Sequence, residues 1–149
     1  MCIRDRFKYE LTQTLKKLQE RQLENGAFPW FVSGRADLYV TQYIIETLGQ
    51  LKKLDAIGDE SPVLDEIIKR AMNYIDTETL YWYNKNRDLV KNGVYPVHYL
   101  GYHYLYVRSF FPEIVLPKEN EEVYQYYFKK AKEEWLQQNL YTQVIIGIV

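Results

Sequence analysis

The chain predicts an all-α fold of about three αα-hairpins, in which outer amphipathic helices alternate with inner apolar ones. Three observations predict it. Apolar residues recur at spacings of three and four along several segments, the period of a helix. Segments with a charged face are followed by segments almost free of charge, three times in succession. Glycine- and proline-containing stretches such as Asn25-Gly26 and Ser61-Pro62 punctuate the order. Stacked αα-hairpins with one helix of each pair inside give this alternation, and an arrangement of this kind closed on itself is an α/α toroid.

Residues 1 to 6 carry charges with no apolar run behind them, which is not the form of a signal peptide. They read as a non-native leader, leaving 7–149 as the domain. Residues 7 to 23 set Phe7, Leu11, Leu15 and Leu18 in one stripe, with Lys8, Glu10, Lys16, Lys17, Glu20 and Arg21 on the wet side. The loop after it holds Phe28, Trp30 and Phe31 almost side by side. Asn25-Gly26 supplies the positive φ that stops the helix, and Pro29 keeps it from resuming. Three exposed rings would make a sticky patch, so the aromatics are expected to pack under the loop or line a pocket. Gly34 turns the chain again, and Asp37 is placed to cap the next helix.

Residues 38 to 54 repeat Val40, Tyr43, Ile44, Thr47, Leu48, Leu51 and Leu54, with Glu46 the one charge before Lys52, so this helix is expected to be mostly enclosed. Ser61-Pro62 starts an amphipathic helix whose stripe is Leu64, Ile67, Ile68, Ala71, Tyr74 and Ile75. Thr77 to Gly93 either extends that helix or forms a second short one closing at Asn92-Gly93. From Pro96 to Phe111 only Arg108 is fully charged, and a helix with no wet face is buried on all sides. Its aromatic and β-branched content also suits a strand, but the run is too long for a typical one. Pro112 and Pro117 bracket a loop, and Glu119, Glu121 and Glu122 open a charged helix with the stripe Tyr124, Tyr127, Phe128, Ala131 and Trp135. Leu140 to Val149 has no charge and reads as an inner helix without a following partner, as in a truncated ring.

At 149 residues the chain is long enough for one domain with a real core. Fifteen tyrosines fit half-buried layers, where a ring packs while its hydroxyl reaches water or a partner. A net charge of −1 leaves no footprint for nucleic acid or an anionic membrane. No run approaches a membrane span of about 18 apolar residues. Cys2 is the sole cysteine, which precludes an internal disulfide.

The pattern Gln22-x-x-Asn25-Gly26-x-Phe28-x-Trp30-Phe31, then Gly34-Arg35 and Tyr39-x-Thr41, resembles the thioester-domain region of bacterial alpha-2-macroglobulin-like proteins. The resemblance continues through Tyr104-Leu105-Tyr106-x-Arg108-Ser109-Phe110-Phe111, and through Tyr126-Tyr127-Phe128, Trp135-Leu136 and Leu140-Tyr141-x-Gln143. It implies part of a six-pair α/α toroid within a protease trap at a bacterial envelope, periplasmic or on the cell surface. The implied partners are target proteases and neighbouring macroglobulin domains. A thioester of this family needs Cys-x-x-Gln, but Asp5 stands where Cys2 would need the glutamine, so the electrophile is not carried here. The resemblance implies a scaffold role with no enzymatic activity and no cofactor. It also makes Phe28, Trp30, Phe31 and Tyr39 candidates for an apolar cover that keeps water from a thioester. The competing reading of these rings is a structural plug stapling two helices.

Other chemistry is weak. His98 and His103 are five apart, about 140° around a helix, whereas a metal pair would stand at i and i+4. Glu121-Glu122 and Glu133-Glu134 lie on charged faces, unlike the convergent pair of a glycosidase. No phosphate-binding glycine motif or nucleophile elbow occurs. Two alternatives to the trap remain open: an α/α-toroid enzyme acting on glycans or prenyl chains, and an interaction module without a thioester.

Overall fold

A computed structural model describes residues 3–55, 62–92 and 99–149, and the described residues are all-helical, with one isolated antiparallel bridge between Phe28 and Asp37. The order is α1 (Ile3–Arg21), α2 (Leu38–Lys53), α3 (Pro62–Lys85), α4 (Arg87–Lys91), α5 (Tyr99–Ser109), α6 (Glu121–Glu134) and α7 (Leu140–Ile148). Single 3₁₀ turns, Lys118–Asn120 and Trp135–Gln137, precede α6 and α7. The chain divides into two compact units, 1–74 and 75–149. α1 takes in residues 3–6; Met1 and Cys2 lie outside the described residues.

In the first unit, α3 begins with Pro62 in its first turn, where a missing N–H costs nothing. Its stripe follows the predicted period: Leu64, Ile67, Ile68, Ala71 and Tyr74 are all buried. Each Leu or Ile so enclosed contributes about 1.5–3 kcal/mol of transfer free energy. α1 is amphipathic as expected, with Leu15 buried and Leu11 and Leu18 half-buried.

α2 is a correction. Its buried set is Thr41, Gln42, Ile45, Glu46, Leu48 and Gly49, while Val40, Tyr43, Ile44 and Leu51 are only half-buried and Thr47 is exposed. The helix is turned so that polar groups face inward, and these groups are hydrogen-bonded from within or beside the helix. The Thr41 hydroxyl bonds the Asp37 carbonyl, and Gln50 Nε2 donates to Glu46 Oε1 at 2.8 Å. A paired polar group no longer carries the full penalty of burial.

In the second unit, Thr77 to Gly93 realises both options: α3 runs on to Lys85, and the short α4 ends at Lys91, with Gly93 outside the described residues. Every residue from Gly101 to Arg108 is buried, as a helix with no wet face requires. α5 packs against α6 and α7. Gly101 is essential to that contact, since a Cβ there would stand 2.2 Å from the Tyr127 ring.

The charge that α5 carries inward is answered by α3. Arg108 donates from Nε to Asp76 Oδ1 at 3.1 Å and from a terminal nitrogen to Oδ2 at 2.5 Å, with both side chains at most 6% exposed. Tyr104 donates its hydroxyl to Asp76 Oδ1, Asn120 Nδ2 donates to the Asp76 carbonyl, and Arg108 also reaches the Ile114 carbonyl. Burial, reinforced by the Asp76 carboxylate, pushes the Tyr104 phenol well above its ordinary value.

α7 departs from the enclosed inner helix that its lack of charge suggests. Asn139 caps it by accepting from Thr142 N, and Thr142 and Ile145 are buried. Leu140, Tyr141, Val144 and Ile148 are exposed. Its packing partners are α5 and the preceding 3₁₀ turn, which cover one side. Trp135, assigned to the buried stripe of α6, likewise stands 43% exposed in the 3₁₀ turn, whose tighter winding takes it off that stripe.

Candidate functional site

The aromatic loop lies wholly in the first unit and is held by hydrogen bonds at every stage. α1 stops at Arg21, Gly26 N donates to the Leu23 carbonyl, and the +88° φ of Gly26 turns the chain so that the Ala27 carbonyl accepts from Leu23 N. Asn25 Oδ1 accepts from Ala27 N at 3.1 Å. The buried Gln22 amide donates to the Gly26 and Ile67 carbonyls, and Arg70 donates to the carbonyls of Leu23 and Glu24. The turn is thereby clamped onto α3.

Beyond it, Phe28 N donates to Thr41 Oγ1 at 2.9 Å, Thr41 Oγ1 donates to the Asp37 carbonyl, and Asp37 N returns to the Phe28 carbonyl. Asp37 caps α2 as predicted, with Oδ1 accepting from Val40 N at 2.9 Å. The second turn of the loop takes its left-handed residue one place earlier than glycine placement suggests. Ser33 has φ +66°, and Gly34 N bonds the Phe31 carbonyl.

This framework separates the predicted rings into different roles. Phe28 is 1% exposed and forms the floor, whereas Trp30 is 65% and Phe31 70% exposed. Trp30 stacks on Tyr39 with centroids 5.9 Å apart and planes 16° apart, and Tyr39 packs on Tyr43 at 4.7 Å. A hydrogen bond with Tyr43 raises the Tyr39 phenol above its ordinary value. Of the two expected placements, Phe28 alone packs under the loop, while Trp30 and Phe31 take the other and line a cavity. The others form a crest.

Under the crest lies a cavity of about 350 Å³, bounded by the end of α1, the loop and the first turns of α2. Phe28, Trp30 and Phe31 line it together with Leu18, Val40 and Ile44; Tyr39 does not reach it. Glu20 and Arg21 stand at the same cavity, both exposed and neither ion-paired within the described residues. The site offers an apolar enclosure with two charges at its edge. It holds no histidine, cysteine or convergent carboxylates for acid–base or nucleophilic work.

His98 lies outside the described residues. His103 is buried on α5, its ring 5.3 Å from Tyr99 and 6.5 Å from Tyr106. One terminal nitrogen of Arg87 donates to both Glu122 carboxylate oxygens, Glu122 also accepts from the Tyr83 hydroxyl, and Glu134 accepts from Lys130 and Tyr102. Burial, then the Glu134 carboxylate, pushes the Tyr102 phenol up. Among the described residues no group of three or more His, Cys, Asp or Glu side chains is placed to hold a metal. No helix among them is long and apolar enough to cross a membrane.

Sequence reasoning missed the staples Thr41 and Arg70. The visible signal for the first was a threonine one turn past a capping aspartate, a position that returns a hydroxyl to the backbone. Nothing local marks Arg70, whose bond spans 47 positions. Comparison with protein-family models, with curated proteins and with solved structures returns no match.

Proposed function

We propose that this chain is scaffold from the thioester domain of a bacterial alpha-2-macroglobulin-like protease trap, with a non-catalytic role. The aromatic crest acts as the apolar cover of a thioester held elsewhere in the parent protein. One observation carries the choice of cover over plug: Phe28 is sealed in the core while Trp30 and Phe31 stand out on a hydrogen-bonded frame. A plug would bury all three. Rings held outward by a rigid loop are suited to exclude water from a group brought against them. Target proteases and neighbouring macroglobulin domains are the partners this reading names, and the periplasm or cell surface is its location.

The same exposed crest also suits an interaction module with no thioester, where a partner protein covers the rings. One experiment separates the two. The full-length gene product is mixed with a protease, and covalent adducts are sought on denaturing gels with and without methylamine. The trap reading expects an adduct that methylamine abolishes, and faster spontaneous thiol release when Trp30→Ala and Phe31→Ala are introduced together. Absence of adduct and of methylamine-released thiol overturns it in favour of the module. An adduct with unchanged thiol release in the double variant removes the cover role alone.

A further inference from the structure

We propose that the cavity beneath the aromatic loop binds a free α-amino acid with a large apolar side chain, its carboxylate at Arg21 and its ammonium at Glu20. Three features select this class. The cavity measures about 350 Å³, at the small end of ligand sites, which fits a molecule of amino-acid size rather than a drug-sized one. Its walls are Leu18, Phe28, Trp30, Phe31, Val40 and Ile44, a surface for an aromatic or branched body. Its edge carries one acid and one base, neither committed to an ion pair within the described residues.

The paired charges do the selecting. Glu20 and Arg21 are successive residues on α1, separated by about 100° around the axis, and both line the cavity without forming an ion pair with each other. A ligand with one charge satisfies one and is repelled by the other; a zwitterion satisfies both. Glu20 and Arg21 are the charged side chains in the cavity lining and cancel, so the lining itself offers no surplus of basic groups for an anionic membrane or a nucleic acid. The inference is independent of the trap role, since amino-acid binding requires no thioester.

The test is isothermal titration of the intact chain with L-phenylalanine, 3-phenylpropionate, phenethylamine and N-acetyl-L-phenylalaninamide. Saturable binding of L-phenylalanine is expected, with each of the other three weaker by about tenfold or more because each lacks at least one charged end. Arg21→Gln, at an exposed position, should reduce L-phenylalanine to the affinity of phenethylamine while leaving the far-UV circular dichroism unchanged. Ile44→Trp should fill the cavity and remove binding of all four. The proposal is overturned if L-phenylalanine gives no saturable heat. It is equally overturned if the blocked amide binds as well as the free amino acid, which would indicate an internal peptide residue, or if Arg21→Gln changes nothing.

Discussion

Removing the Asp76 carboxylate is the sharpest probe of the second unit. In Asp76→Ala, Arg108 keeps its bond to the Ile114 carbonyl but loses both contacts to the carboxylate, and Tyr104 loses its acceptor. An uncompensated guanidinium in a site this dry costs about 3–5 kcal/mol. An orphaned phenol on its own would cost about 1–3 kcal/mol, but the two losses share one site and do not add in full. A net loss of about 4 kcal/mol is expected, against a total stability of about 5–15 kcal/mol for a domain. The informative comparison is the double variant Asp76→Ala, Arg108→Met. Taking the charge away from the vacated site should restore about 2 kcal/mol or more, making the double variant more stable than the single one. Urea unfolding followed by circular dichroism and by tryptophan fluorescence gives both numbers, and coincident curves establish that one transition is being read. A cost below about 1 kcal/mol for Asp76→Ala, or a double variant weaker than the single, would refute the buried-pair argument.

Three further outcomes are expected. Phe28→Ala should cost about 3–5 kcal/mol by urea denaturation, while Trp30→Ala should stay within about 0.5 kcal/mol, because only the first ring is in the core. Gly26→Ala should lower the melting temperature, since φ +88° strains an L-residue and the new Cβ would stand 2.2 Å from the Arg70 carbonyl oxygen; an unchanged melting temperature would mean the turn is not clamped on α3. The raised Tyr104 phenol keeps its proton in the folded state after the unfolded chain has begun to lose its own. Its contribution is therefore intact below about pH 10 and declines above it, by up to about 1.4 kcal/mol per pH unit. Tyr104→Phe should flatten that alkaline decline in a series of urea midpoints.

The helical class and most element positions could be read from the sequence because period and charge act locally. α3 shows Leu64, Ile67, Ile68 and Ala71 buried at the predicted spacing, and α5 is sealed from Gly101 to Arg108 as its near-absence of charge implies. The reading of α2 went astray because periodicity counts apolar side chains. It does not register that Thr41 is bonded to the Phe28 amide and the Asp37 carbonyl, or that Glu46 is bonded by Gln50 one turn along the same helix. α7 illustrates the converse: a lack of charge permits enclosure but supplies no neighbour to provide it. At the loop, the aromatic cluster, the Asp37 cap and the Gly26 stop were all legible. The division of the rings into one floor and a crest was not, because Phe28 is fixed by Thr41 and Asp37, 13 and 9 positions further along the chain.

The Thr41 hydroxyl accepts a hydrogen bond from Phe28 N and donates one to the Asp37 carbonyl, closing a small circuit through Phe28 and Asp37. That circuit makes the first turn of α2 a handle on the tryptophan and phenylalanine above it. Trp30 is tied to the same helix a second time by its stack on Tyr39, so the crest and the start of α2 share one support.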